Sequence, residues 1–143
     1  MRRVLVFGGR DFTDTKAVFN SLDLMAEWSE SDDIGNTMPM LHIISGCASG
    51  ADQLGLDWAK DTGNTTSEFP AAWQDLEAPG AIIKTRRDGI QYNTLAGFWR
   101  NQQMIDEGHP DIGLMFPGRN GTRDMKERLI KAKIPIVNGV VYD

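Results

Sequence analysis

Hydrophobic residues in this chain fall into short unbroken runs separated by stretches with a helical repeat. Val4-Leu5-Val6-Phe7, Met40-Leu41-His42-Ile43-Ile44, Ile112-Gly113-Leu114-Met115-Phe116 and Ile134-Pro135-Ile136-Val137 show almost no apolar–polar alternation. A strand of that kind is covered on both faces. After the first run, Val18, Leu22, Met25 and Ala26 recur at helical spacing, predicting a helix capped by Thr13 or Asp14 and running to about Glu30. After the second, Ala51, Leu54, Gly55 and Trp58 repeat the pattern through about Lys60; after Ile112–Phe116, Met125, Leu129 and Ala132 do so again. Another helix resumes at Thr94 with Leu95, Phe98, Trp99 and Ile105 apolar and ends at Gly108 to Pro110. Thr65 to Phe69 fits a short edge strand closed by Pro70. Ser31 to Pro39 reads as a polar loop, Ala71 to Asn93 is the least regular part, and Val140-Val141-Tyr142 can extend the last strand. Strands alternating with helices predict an α/β domain with a mostly parallel sheet of about five strands joined by right-handed crossovers. For the order 3-2-1-4-5, the strand order reverses between the first strand and the Ile112 strand, which is where such sheets bind ligands.

Composition narrows the reading. At 143 residues the chain is one domain, 1–143, with a 41% hydrophobic and 24% charged make-up ordinary for a water-soluble fold. A formal net charge of -5 speaks against a general nucleic-acid binder. Arg2-Arg3 precede an apolar run too short for a signal peptide or a membrane span, so no membrane partner is expected. One cysteine, Cys47, rules out a disulfide framework and suits a reducing cytoplasm. Set among small residues and far in sequence from His42 and His109, Cys47 reads as a small apolar group rather than a nucleophile.

The candidate chemistry lies in the turns that follow three of the strands. Gly8-Gly9-Arg10-Asp11-Phe12 offers close main-chain approach, a donor fork and an acceptor. Ser45-Gly46-Cys47-Ala48-Ser49-Gly50 leads into Asp52, which sits in a first helical turn. Pro117-Gly118-Arg119-Asn120-Gly121-Thr122 places free amides, a hydroxyl and Arg119 and Arg123 at a helix start and is the best phosphate cradle. Trp73 is a candidate for stacking on a base, and Arg100-Asn101, flanked by bulky apolar residues, has the setting of a pair aimed at something. No Gly-x-Gly-x-x-Gly or Gly-Lys-Ser/Thr follows a strand, and no His/Cys cluster has zinc spacing. No cofactor is required, although Asp11, Asp52 or Asp124 can hold a magnesium-bridged phosphate.

Taken in order, Gly8-Gly9-Arg10-Asp11-Phe12, Gly46-x-x-x-Gly50-Ala51-Asp52, Phe69-Pro70-Ala71-x-Trp73, Arg100-Asn101-x-x-Met104 and Phe116-Pro117-Gly118-x-x-Gly121-Thr122-x-x-Met125 resemble the YspA-like (cpYpsA-related) branch of the SLOG superfamily. That superfamily includes the Lonely Guy phosphoribohydrolases and DprA. The resemblance implies a Rossmann-like three-layer domain with a pocket for a nucleotide or nucleotide-derived ligand formed by these motifs. It implies a sensor or sequestering protein, or alternatively an N-glycosidic hydrolase acting on a nucleotide. Lonely Guy enzymes use an arginine, which Arg100 resembles, and a glutamate at the position that is Met125 here. Methionine cannot stabilise an oxocarbenium-like transition state. Asp124 points about 100° away around the helix. Either Asp11, Asp52 or Glu68 substitutes as the carboxylate, making Arg100, Asp52 and Glu68 the catalytic candidates, or the protein binds without cleaving. The base is then expected near Phe12 or Trp73, the sugar near Asp52 and Arg100-Asn101, and the phosphate at Gly118–Thr122 and Arg119. Single-stranded DNA binding in the manner of DprA is the third reading, weakened by the acidic balance. A homo-oligomer can form through the Leu95-Phe98-Trp99 face.

Overall fold

The computed structural model describes residues 1–27 and 41–139. The expected stretch from 28 to 40 and the extension at 140–142 lie outside the described residues. Strand β1 spans Arg2–Phe7, helix α1 Thr15–Glu27, β2 Leu41–Ser45, α2 Ala51–Thr62 and β3 Thr65–Glu68. Then come β4 at Ile83–Thr85, β5 at Gln91–Asn93, α3 at Ala96–Asp106, β6 at Ile112–Met115, α4 at Asn120–Lys131 and β7 at Ile136–Asn138. Five strands form a sheet of order β3-β2-β1-β6-β7 in which every pairing is parallel. This is the Rossmann-like arrangement expected, with the reversal between β1 and β6.

Pleating of β1 divides the core in two. Val4 and Val6 point to one face, where Val18, Leu22, Met25, Trp58 and Ala59 of α1 and α2 cover them. Leu5 and Phe7 point to the other and meet Met104, Ile105, Met125 and Leu129 of α3 and α4. All four side chains are buried, as a strand without polar alternation requires. Helix α1 is capped by Asp14, whose Oδ1 accepts the Ala17 N–H at 3.0 Å. Among the described residues no helix is long and apolar enough to cross a membrane.

Two features differ from the sequence expectation. The segment 71–93, irregular in pattern, contains an antiparallel hairpin of β4 and β5. The hairpin is closed at its base by Thr94 N–H to Ile82 carbonyl at 2.8 Å, and Asn93 N–H bonds back to the Trp73 carbonyl at 2.7 Å. Three-residue strands are too short to show alternation. On α3 the buried apolar residues are Ala96, Met104 and Ile105, whereas Trp99 is 40% exposed.

The three turns after β1, β2 and β6 lock together through the main chain of Gly9. Its N–H donates to the Pro117 carbonyl at 2.9 Å, and its carbonyl accepts from Phe12 and Ala51, both at 3.2 Å. Gly50 has φ 82°, and a Cβ there would run into the Gly9 carbonyl and lie 2.7 Å from the Arg10 carbonyl carbon. Gly63, with φ 72°, faces open space. Gly63→Ala is therefore expected to cost about 1 kcal/mol, the left-handed backbone alone. Gly50→Ala adds a backbone collision and should cost at least about 3 kcal/mol. Urea unfolding of both variants measures the difference, and equal losses would contradict the turn packing.

Candidate functional site

The locked turns leave a cavity of about 410 Å³ at the carboxyl ends of β1 and β6, walled on the far side by α3. Of the residues singled out from sequence, Gly8, Arg10, Asp11, Asp52, Trp73, Arg100, Asn101, Arg119, Gly121 and Thr122 line it. The others lie outside that lining. Gly9, Gly50, Pro117 and Gly118 make the turn-to-turn contacts; a Cβ on Gly118 would collide with Thr122 Oγ1 and sit 2.7 Å from the Gly9 nitrogen. Asn120 is exposed as the first residue of α4. Phe12 turns away: its ring packs on Phe116 with centroids 5.1 Å apart. Glu68, exposed at the end of β3, lies toward Cys47 and outside the cavity.

Asp52 is the charged centre. It is 5% exposed, and its carboxylate receives the main-chain N–H groups of Ala48 and Gly8. Burial pushes its pKa up to about 6 despite the nearby Arg100 and Arg10 guanidinium groups. Desolvation of the anion thus outweighs the attraction. Gly46 makes room for the pair, since a Cβ there would be 2.9 Å from Asp52 Oδ2 and 2.6 Å from Arg100 Nη1. Arg100 reaches from α3 to the β2 turn, where its Nη1 donates to the Gly46 carbonyl and, at 3.4 Å, to the Phe69 carbonyl. Burial and the Arg10 charge lower its pKa from the usual arginine value, with Asp52 opposing.

Asn101 lines the cavity and also serves as a strut. Its Nδ2 donates to the Gly121 carbonyl at 3.3 Å and to Asp124 Oδ2 at 3.0 Å, and its Oδ1 accepts from Arg100 Nε at 3.2 Å. Asp124 is in turn held by Arg128 Nε at 2.7 Å. One amide therefore ties Arg100 to the first turn of α4. At the rim, the Arg10 guanidinium sits 5.0 Å from the Trp73 ring centroid, a cation–π contact, and the indole lies against Gly97. Thr94, Gly97 and Phe98 also line the wall and were not singled out from sequence, whereas Met104 belongs to the Arg100-Asn101-x-x-Met104 motif. A glycine inside a helical pattern is a signal of close approach, and Gly97 carried it. Met125, in the position of the missing glutamate, is buried beneath the cavity against Leu5, Phe7 and Met104. Cys47 is half-buried with φ 62°, and burial followed by Glu68 raises its pKa, so it stays a thiol. Among the described residues no three His, Cys, Asp or Glu side chains gather as a metal site.

Asp52 sets a pH dependence. With its folded value of about 6 above the ordinary 3.8, the folded state holds the proton more tightly. Stability from this group is full below about pH 4 and is lost as pH rises through 6. Asp52→Asn removes that penalty, so the variant should gain up to about 3 kcal/mol over the wild type at pH 7.5. The gain should vanish at pH 4. Paired urea titrations across that range measure it, and a variant less stable at pH 7.5 would show that the buried anion is net stabilising.

The model of the YspA, cpYpsA-related SLOG family matches residues 2–75, which carry β1 to β3, the first two turns and Trp73. Among solved structures, the chain is similar to DNA processing protein A (DprA) from Streptococcus pneumoniae, with a TM-score of 0.66 at 19% identity. The alignment covers 100% of this chain and 52% of that one, so the chain spans about half the length of DprA and shares its fold. No curated protein matches the chain. With its family model spanning β1, Gly8-Gly9, the Asp52 turn and Trp73, the chain belongs to the YspA, cpYpsA-related SLOG family.

Proposed function

We propose that the crevice binds a nucleotide or nucleotide-derived ligand, as a sensor or sequestering protein does. The observation that carries this reading is the convergence, in one cavity, of the first turn of α4 with Arg119, the Asp52–Arg100 pair and the Trp73 ring. The first N–H groups of a helix have no partner within it and favour an anion, so the phosphate lies at Gly121, Thr122 and Arg119. The sugar hydroxyls lie toward Asp52 and the base toward Trp73, since the Phe12 ring is spent on Phe116. A magnesium ion accompanying the phosphate would find Asp11 at the rim; Asp124 is engaged by Asn101 and Arg128. Thermal melting with millimolar AMP, ADP-ribose, NAD and cyclic nucleotides tests the site. At least one should raise the melting temperature by several degrees, and Trp73→Ala should remove most of the rise. No shift with any of them overturns the reading.

One observation favours a second reading, N-glycosidic hydrolysis. Asp52 supplies inside the cavity a carboxylate that titrates at about 6, in reach of Arg100. Such a group can stabilise an oxocarbenium-like centre as an anion or deliver a proton to a departing base. Incubation with nucleoside monophosphates and chromatography for free base decides it. Release should fall at least 100-fold in Asp52→Asn and Arg100→Ala; release that survives both substitutions removes Asp52 and Arg100 from the chemistry. Single-stranded DNA binding has the DprA fold behind it, and a gel shift at low salt tests it.

A further inference from the structure

A second cavity of about 260 Å³ opens beside the first, lined by Gly46, Cys47, Ser49, Pro70 and Ala71. The two share Arg10, Ala48, Trp73 and Arg100, so these residues form a neck between them. The charge at the neck is unbalanced. Two guanidinium groups close enough to repel each other stand there; Asp52 is the carboxylate that acts on both, Asp11 lines the larger cavity and Glu68 lies toward Cys47 of the smaller one. Arg100 is fixed by the Gly46 and Phe69 carbonyls and by Asn101, and Arg10 by the face of Trp73. The lining common to both cavities thus carries two cations and no carboxylate, which favours a second anionic group on the ligand there. The first anionic point is some way off, at Arg119 and the start of α4.

We propose that the ligand is a dinucleotide: a 5′-phosphorylated nucleotide in the larger cavity, a phosphodiester across Arg10 and Arg100, and a second nucleoside in the smaller one. This rests on the nucleotide reading above and extends it. With the 5′-phosphate at α4 and the sugar at Asp52, the remaining sugar hydroxyls face the neck, and a phosphate on one of them meets the two arginines. The second cavity has small side chains and main-chain groups on its walls, room for a ring and no further cation.

Calorimetry with a ladder of ligands tests each part: AMP, adenosine 3′,5′-bisphosphate and pApA, and the matching guanine series. Each step should gain at least tenfold in affinity, the first from the neck and the second from the second cavity. Ala71→Trp, at a half-buried position that lines only the smaller cavity, should bring pApA down to the bisphosphate while leaving AMP unchanged. A mononucleotide that binds as tightly as its dinucleotide overturns the proposal and leaves the nucleotide reading standing. So does an affinity that keeps climbing with strand length, which assigns the neck to nucleic acid. Failure of all six ligands to bind overturns the proposal, and the nucleotide reading falls with it when ADP-ribose, NAD and cyclic nucleotides also give no shift.

Discussion

Everything at the carboxyl edge of the sheet depends on the main chain of one residue, Gly9. Its N–H and carbonyl bond to turns that follow two different strands, and the glycines opposite leave the space it occupies. A side chain at Gly50 or Gly118 would meet this main chain before it met any ligand. The glycines that read as a cradle for phosphate therefore divide into two kinds. Gly8, Gly46 and Gly121 border the cavities, while Gly9, Gly50 and Gly118 hold the three turns at a fixed separation. Preorganisation follows from that bonding, because the entropy of ordering the turns is settled on folding rather than on binding.

Upon that frame the molecule keeps a destabilised pair. A buried aspartate that titrates near neutrality and an arginine with lowered basicity both lose hydration that their mutual attraction does not restore. Neighbours fill the gap with hydrogen bonds: Ala48 and Gly8 amides for the carboxylate, Gly46, Phe69 and Asn101 oxygens for the guanidinium. Buried charge maintained at such cost in a cavity points to a task beyond folding.

Much of this was legible in the sequence because the information is local. Unalternating strands, helical stripes and glycine turns carry the layer order and the β1–β6 crevice, and Asp52, Arg100 and Trp73 stand out by residue type and position alone. Phe12 was assigned to the ligand because aromatic residues after a glycine turn carry no mark of direction; only the fold shows its ring on Phe116. Glu68 stood near the right strand end, yet at the exposed edge of the sheet its carboxylate falls outside the cavity. Asn101 read as a ligand contact, and its role as a strut depends on Asp124, 23 residues further on. The hairpin of β4 and β5 was hidden by its brevity.

Met125 gives the last step. Burying a methionine against Leu5, Phe7 and Met104 turns the floor of the cavity apolar where a glutamate would have stood beside the start of α4. A carboxylate there would compete with an incoming phosphate for the helix amides, and the methionine removes that competition. The buried carboxylate of the cavity, Asp52, stands at the start of α2 across the crevice, on the side of the two arginines. On the nucleotide reading, the apolar floor leaves the α4 amides to an anion alone, and the acid–base capacity of the crevice rests with Asp52.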